Sequence, residues 1–278
     1  MSLFISSLNS GSNGNCYYIG NPQEAVLIDA GISCRETEKR MKRLGLSIEK
    51  VKAIFISHEH ADHVLGIATL ARKYQLPVYI SPGTQRHLRP MIAAAQVLPF
   101  EAGCPVSIGS LTVNAFVKSH DAGDPHSFMV SSNGINIGIF TDIGYVCDQL
   151  THYFRQCHAA FLEANYDEEM LLHGSYPLHL KKRISGDAGH LSNKQALDLF
   201  IRHRSEHLAH LLLSHLSKNN NTPEIVQELF GQHAGTTQIH IATRFKETPV
   251  LRIMGETIAA TTLPRRKPVQ TQVQLRLF

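Results

Sequence analysis

Residues 51–63 read "VKAIFISHEHADH". The opening half is an apolar run broken only by Lys52, the pattern of a strand covered on both faces. It ends in His58, His60, Asp62 and His63, with Glu59 between the first two. The next stretch, "HVLGIATLARKY" (63–74), sets Val64, Leu65, Ile67, Ala68 and Ala71 at helical spacing. A buried strand, a turn crowded with ligand-type side chains and an amphipathic helix form one β-to-α unit, so the fold class is α/β. Residues two apart on an extended segment point to one side, which lets His58 and His60 face one point. Desolvating four such groups together is costly without a cation. A solvated histidine-rich loop is the alternative, but such a loop seldom follows a buried strand and opens an amphipathic helix.

The alternation continues outward. "LFISSLNSGSNGNCYYIG" (3–20) reads as two strands joined by a Gly/Ser/Asn turn, and "AVLIDAG" (25–31) as a short buried strand. "CRETEKRMKRLGL" has helical spacing, and "PVYIS" is again a strand. Residues 105–142 are rich in strands, with "SNG" as a hairpin turn. In the second half helices are expected before "CHAAFLEAN", in "NKQALDLFIRH" and in "PEIVQELF"; strands are expected in "HLLLSHL" and "TQIHIAT". Periodicity fades near Thr262. The expected organisation is a domain over residues 1–261 and a mobile basic tail over 262–278.

Composition narrows the class. A chain of 278 residues with 43% hydrophobic residues can bury a sizeable core. It contains no apolar run of transmembrane length and no signal-peptide pattern, so no membrane partner is expected. The cysteines, Cys16, Cys34, Cys104, Cys147 and Cys157, are scattered and form no CxxC pair. Reduced thiols and a cytoplasmic location are the expectation. Of the 27 Lys and Arg, four (Arg265, Arg266, Lys267, Arg276) lie in the tail, and the remaining 23 balance the 23 acids. The body therefore has no overall electrostatic bias towards nucleic acid. The anomaly is the 17 histidines, the commonest metal-ligand residue type.

Three further ligand candidates close apolar runs: His120 after "LTVNAFVKS", Asp142 after "INIGIFT" and His215 after "HLLLS". Sheet ends are where α/β folds gather functional residues. With the histidine-rich turn they make seven ligands, enough for two cations. Asp29, after "VLI", is either another ligand or an acceptor that holds a ligating histidine, and the second role is preferred. Nitrogen and oxygen ligands suit zinc, manganese or iron without choosing among them.

The ordered set "LIDAG", "SHEHADH", "KSHDAGD", "FTDIG" and "LSHLS" resembles the metallo-β-lactamase superfamily of hydrolases. The resemblance implies an αβ/βα sandwich of two mixed sheets with helices outside. It implies one divalent metal held by His58, His60, His120 and Asp142. A second would be held by Asp62, His63, Asp142 and His215, with Asp142 bridging and Asp62 also counted as catalytic. Paired metals of this kind activate water for attack on a carbonyl or phosphoryl centre. No cysteine stands at a matching ligand position, which argues against a true β-lactamase.

The second half bears on the substrate. Glu163 ends an apolar run, and His190 precedes a helix whose Ser192 and Gln195 fit a capping box. A helix N-terminus favours anions such as phosphate, and Lys181, Lys182 and Arg183 lie just upstream. This order resembles the phosphodiesterase branch of the superfamily, in which the Glu orients the His and the His serves the leaving group. "SGSNGNCYYI", "HDAGDPHSF", "EANYDEEML" and "LSHLSKNNNTPE" resemble, more narrowly, the YycJ/WalJ-type bacterial 5′→3′ DNA exonucleases. That implies a role in DNA repair or replication. Other readings are an RNA-processing nuclease, a thioester or lactone hydrolase, or a regulator whose metal site is structural. His126, Asn219 and Asn220 are expected to line the cleft or its turns. The last five residues, Gln274, Leu275, Arg276, Leu277 and Phe278, resemble the QL(S/D)LF peptide with which bacterial DNA enzymes dock on the sliding clamp. A final strand packed on the body is the alternative for that segment.

Overall fold

A computed structural model describes residues 2–88 and 92–255. The first half of the chain builds one sheet from β1 (Ser2–Asn9), β2 (Cys16–Gly20), β3 (Ala25–Ile28), β4 (Val51–Phe55), β5 (Val78–Ile80) and β6 (Val97–Pro99). The second sheet takes β7 (Val106–Ile108), β8 (Leu111–Val117), β9 (His126–Ser132), β10 (Ile135–Phe140), β11 (Ala159–Glu163), β12 (His210–Ser214) and β13 (Gln238–Ile241). A last strand, β14 (Leu251–Met254), returns to the first sheet and pairs antiparallel with β1. Sequence reading did not anticipate it. The orders are β14-β1-β2-β3-β4-β5-β6 and β13-β12-β11-β10-β9-β8-β7, seven strands each, and both sheets mix parallel with antiparallel pairs. This is the expected αβ/βα sandwich.

Apolar side chains of the two inner faces make the central core. Ile5, Tyr17, Ile28 and Phe55 of one sheet share a cluster with Phe128, Val130, Phe161 and Leu212 of the other. Tyr17 and Phe161 meet across the gap with ring centroids 4.9 Å apart. The outer faces are covered by helices. These are α1 (Cys34–Arg43), α2 (Ala61–Val64), α3 (Ile67–Tyr74) and α4 (Pro82–His87), then α5 (Asp148–Phe154), α6 (Glu168–His173), α7 (Leu178–Ser185), α8 (Asn193–His203) and α9 (Pro223–Gly231). α8 shows the logic: Asn193, Ala196, Leu199 and Phe200 recur at helical spacing and are the buried ones. Because both faces are covered, "AVLI" and the three leucines of "HLLLS" are continuously apolar rather than alternating.

Two local readings are refined. The "SNG" hairpin is tight because Asn133 and Gly134 both take positive φ, 50° and 78°, as a two-residue turn requires. The stretch after the histidine turn is two helices rather than one. Gly66 interrupts it, its N–H donating to the Ala30 carbonyl at 2.8 Å. A Cβ there would sit 2.0 Å from the Ile32 carbonyl oxygen. Among the described residues no helix is long and apolar enough to cross a membrane. The expected tail, 262–278, lies outside the described residues.

Candidate metal centre

Six strand ends meet at one edge of the sandwich. Asp29 follows β3, the histidine turn follows β4, and His120 lies three residues past β8. Asp142 follows β10, Glu163 ends β11, and His215 follows β12. Asp29, Asp142 and His215 take positive φ of 60°, 56° and 57°. Only Gln75 and Asn133 share that conformation among the described non-glycine residues. Left-handed backbone of this kind is costly for a side chain and gathers at functional sites.

The protons of the imidazoles are committed away from the centre. Ser57 Oγ donates to Asp29 Oδ2 at 2.8 Å, so it accepts from His58 Nδ1 at 2.9 Å. His120 Nδ1 donates to the Gly189 carbonyl at 3.0 Å, and His60 Nε2 to the Asp121 carbonyl at 3.1 Å. His63 Nδ1 lies 2.7 Å from Asp29 Oδ2 and donates to it. These outer partners fix tautomer and ring orientation. They leave His58 Nε2 and His60 Nδ1 facing each other at 3.1 Å, lone pair against lone pair. On the other side His63 Nε2 faces Asp142 Oδ2 at 3.2 Å and Asp62 Oδ2 at 3.5 Å, carboxylates that draw a second proton, or a metal ion in its place, to that nitrogen. A divalent cation would relieve the first contact and replace the proton in the second.

The ligand atoms fall into overlapping groups, within each of which all lie within 4.8 Å of one another. One holds His58, His60 and His120; another holds Asp62, His63 and His215. Asp142 lies between them: Oδ1 is 3.9 Å from His120 Nε2 and 3.4 Å from His215 Nδ1, while Oδ2 points at His63. All seven expected ligands are thus brought together. His120 Nε2, Asp142 Oδ2 and His215 Nε2 are buried with no hydrogen-bond partner. Orphaned buried polar atoms are costly. Three of them in one nitrogen- and oxygen-lined space fit bound divalent cations.

Titration reflects the same crowding. Burial opposes charge on His63, but the carboxylates of Asp142, Asp29 and Asp62 outweigh it and hold its pKa well above the ordinary value. His215 is likewise pushed up to about 10 by Asp142, Asp62 and Glu163 against the effect of burial. His58 and His120 go the other way because burial dominates, with His120 down to about 4.

Beside this centre lies a second constellation, Asp142, Glu163, His190 and His215. Glu163 is fully buried. Its Oε2 accepts the N–H groups of Ile143 (2.8 Å) and Leu191 (3.2 Å), and its Oε1 lies 2.8 Å from His190 Nδ1. Burial raises its pKa, but His190 and His215 together outweigh burial and the net value is about 2. Glu163 is therefore ionised, and His190 Nδ1 donates to it. The Ser192 capping box is present, its hydroxyl accepting from Gln195 N at 3.2 Å.

The remaining expected residues are placed variously. Arg183 Nε donates to Asp121 Oδ2 at 2.6 Å, and Asp121 Oδ1 is 3.3 Å from His120 Nε2, so this cation is tied to the centre. Lys181 Nζ donates to the Leu172 carbonyl at 2.7 Å, and Lys182 is exposed. Asn219 Nδ2 donates to Tyr176 Oη, and Asn220 is buried, its carbonyl accepting from Asp167 N at 2.7 Å. His126 is buried against Phe100, with centroids 5.1 Å apart, and belongs to none of the ligand groups. Gln274, Leu275, Leu277 and Phe278 lie outside the described residues.

Sequence reading missed three contributors. Asn15 Nδ2 donates to Asp62 Oδ2 at 3.1 Å and lies 3.0 Å from His63 Nε2. Asp121 joins Arg183 to His120, as above. Lys118 is buried, its Nζ donating to the Thr141 carbonyl at 2.6 Å; burial lowers its pKa, opposed by the surrounding carboxylates, Asp142 first. Only their adjacency to quoted motifs, "SGSNGN" and "VKSHD", marked them in the sequence.

Residues 24–215 match the family described as the Beta-lactamase superfamily domain. The chain belongs to the metallo-β-lactamase superfamily. Within it, the chain is 37% identical to Exodeoxyribonuclease YycJ of Bacillus anthracis, over 82% of this chain and 87% of that one. It is 32% identical to Exodeoxyribonuclease WalJ of Streptococcus pneumoniae, over 87% and 91%. The crystal structure of the metallo-β-lactamase fold protein YhfI from Bacillus subtilis superposes with a TM-score of 0.68 at 15% identity, covering 89% of this chain and 99% of that one. In this metal-dependent hydrolase fold the ligand-type residues stand at the strand ends.

Proposed function

We propose that this superfamily member is a metal-dependent phosphodiesterase acting on DNA, a 5′→3′ exonuclease serving DNA repair or replication. The observation that carries the reading is the Glu163–His190 pair, joined at 2.8 Å and sharing one ligand cluster with Asp142 and His215. The curated relatives over most of the chain are named exodeoxyribonucleases, which favours DNA over RNA. The polarity rests on the family resemblance.

Bound divalent cations would supply Lewis acidity and an activated water. The residues proposed to hold them are His58, His60 and His120 on one side, Asp62, His63 and His215 on the other, with Asp142 between. The protein's own groups do the rest. Asp29 and Ser57 lock His58 and His63 with Nε2 inward. Glu163 is held by two backbone N–H groups and fixes His190 through Nδ1. His190 Nε2 is then the group positioned to give a proton to the departing alkoxide. Arg183 (joined to Asp121) with Lys181 and Lys182 offers charge to the phosphate backbone.

The domain is proposed to span 1–261. The segment 262–278 is proposed to dock on the sliding clamp through Gln274, Leu275, Leu277 and Phe278, raising effective concentration at DNA. Deleting 274–278 should abolish clamp binding; a clamp complex that survives the deletion refutes that role.

End-labelled single- and double-stranded DNA and RNA, with each divalent metal, test the main reading. Glu163→Gln and His190→Ala are expected to lower kcat on DNA by about 100-fold or more while metal content stays near wild type. No cleavage of any nucleic acid by the wild type would overturn it.

A further inference from the structure

The loop that follows His215 forms a second, differently lined cavity. It measures about 110 Å3 and opens to solvent. Ser10, Leu216, Lys218, Pro223, Arg244 and Phe245 contribute to its wall. It adjoins the candidate centre directly, since Ser10 Oγ, part of that wall, accepts the His215 backbone N–H at 2.8 Å. Its chemistry is not that of the centre: no carboxylate lines it. Leu216 and Pro223 give apolar surface, while exposed Lys218 and half-buried Arg244 add positive charge to the wall. Arg244 is held in place, its Nη2 donating to the Leu216 carbonyl at 2.8 Å. Phe245 is 79% exposed, the most exposed large apolar side chain among the described residues. Among the described residues it makes no ring contact, whereas the phenylalanines that do are packed in the core.

We propose that this cavity is a nucleotide subsite of the same active site, in which Phe245 stacks on one base of the substrate strand. Lys218 and Arg244 face the adjoining phosphate. An exposed ring beside paired cations is the arrangement that holds single-stranded nucleic acid without reading sequence: the ring takes any base face and the cations take the backbone. The inference rests on the nuclease reading above and names where the strand lies relative to the centre, on the His215 side.

The test uses the metal-loaded full chain and a set of short single-stranded deoxyoligonucleotides, one intact and the others each with one abasic position. Bis(p-nitrophenyl) phosphate serves as a phosphodiester without a base. In Phe245→Ala, the ratio of kcat/KM for the intact strand to that for the small diester should fall by about 5- to 150-fold, the range of one base–aromatic stack. With the strand abasic at the stacked position the same substitution should change the ratio less than about two-fold, the mark of a shared interaction. Phe245→Trp should restore the intact-strand ratio, and Lys218→Gln should flatten the salt dependence of strand binding. An unchanged ratio in Phe245→Ala, or equal losses on every abasic strand, overturns the subsite and leaves the nuclease reading standing. A wild type that cuts neither substrate overturns the nuclease reading; strand binding by wild type and Phe245→Ala then still decides the subsite.

Discussion

Replacing Asp29 by asparagine isolates the role of one buried carboxylate. Asp29 Oδ1 accepts the Ser57 N–H at 2.8 Å, and Oδ2 accepts Ser57 Oγ at 2.8 Å and His63 Nδ1 at 2.7 Å. Asparagine tolerates the positive φ of 60° there, so backbone strain does not confuse the result. The amide has two placements. With its oxygen on the Ser57 N–H, its NH2 faces His63 Nδ1, which must become the acceptor. The proton of His63 then moves to Nε2, against Asp142 and Asp62, and the ligand lone pair is lost. In the flipped placement NH2 meets the Ser57 N–H, donor against donor, at a cost of about 1–3 kcal/mol. Either way affinity for the metal at the Asp62–His63–His215 side should fall by about 10- to 100-fold, or about 1.4–2.7 kcal/mol. Competition between the protein and a chromophoric zinc chelator measures this site by site. Two wild-type affinities in Asp29→Asn would show that Asp29 does not set the tautomer of His63, and the account of the centre would have to be rebuilt.

Three further outcomes follow from packing and charge. Phe161→Ala should lower stability by about 3–5 kcal/mol in urea unfolding, because Phe161 is fully buried between the sheets against Tyr17. Removing metal with EDTA should lower the melting temperature; each site filled at 100 times its Kd contributes about 2.7 kcal/mol, and His60→Ala should show a smaller EDTA effect than wild type. Hydrogen bonds from Lys73, Cys34 and Tyr74 hold Glu38 down at about 2, against an ordinary value of 4.5. A depressed carboxylate contributes stability above its unfolded pKa and loses it as pH falls, so Glu38→Gln should flatten the stability curve between pH 4.5 and about 2 in acid titrations followed by circular dichroism.

What could be read from the sequence was whatever is local. The apolar run of β4 and its histidine turn are contiguous, and the strand ends at His120, Asp142 and His215 each close an apolar stretch. The Ser192–Gln195 cap is a three-residue spacing, and the structure contains it. What could not be read depends on partners far along the chain. Asn15 matters because Asp62, 47 residues away, comes to it. Lys118 is buried because Thr141 offers a carbonyl to its ammonium. Gly66 breaks a helix that periodicity favours because its N–H is taken by Ala30. β14 carries too short a run, "LRIM", to stand out, and its pairing with β1 closes nearly the whole chain. His126 has the residue type of a ligand, but its burial against Phe100 is a matter of tertiary packing.

The left-handed residues at 29, 142 and 215 have a consequence for how this protein can change. Glycine is the residue the backbone would choose at those positions, and a side chain there costs about 1–3 kcal/mol at most. Selection for folding alone, as in a library sorted on resistance to proteolysis, should therefore reach glycine there through paired changes, Asp142→Gly together with His215→Gly, since either change alone leaves its buried partner uncompensated. Every such winner would be catalytically silent. Persistence of aspartate and histidine at these strand ends would then mark selection for chemistry, and a relative carrying glycine at both would be a scaffold that has kept the sandwich and abandoned hydrolysis.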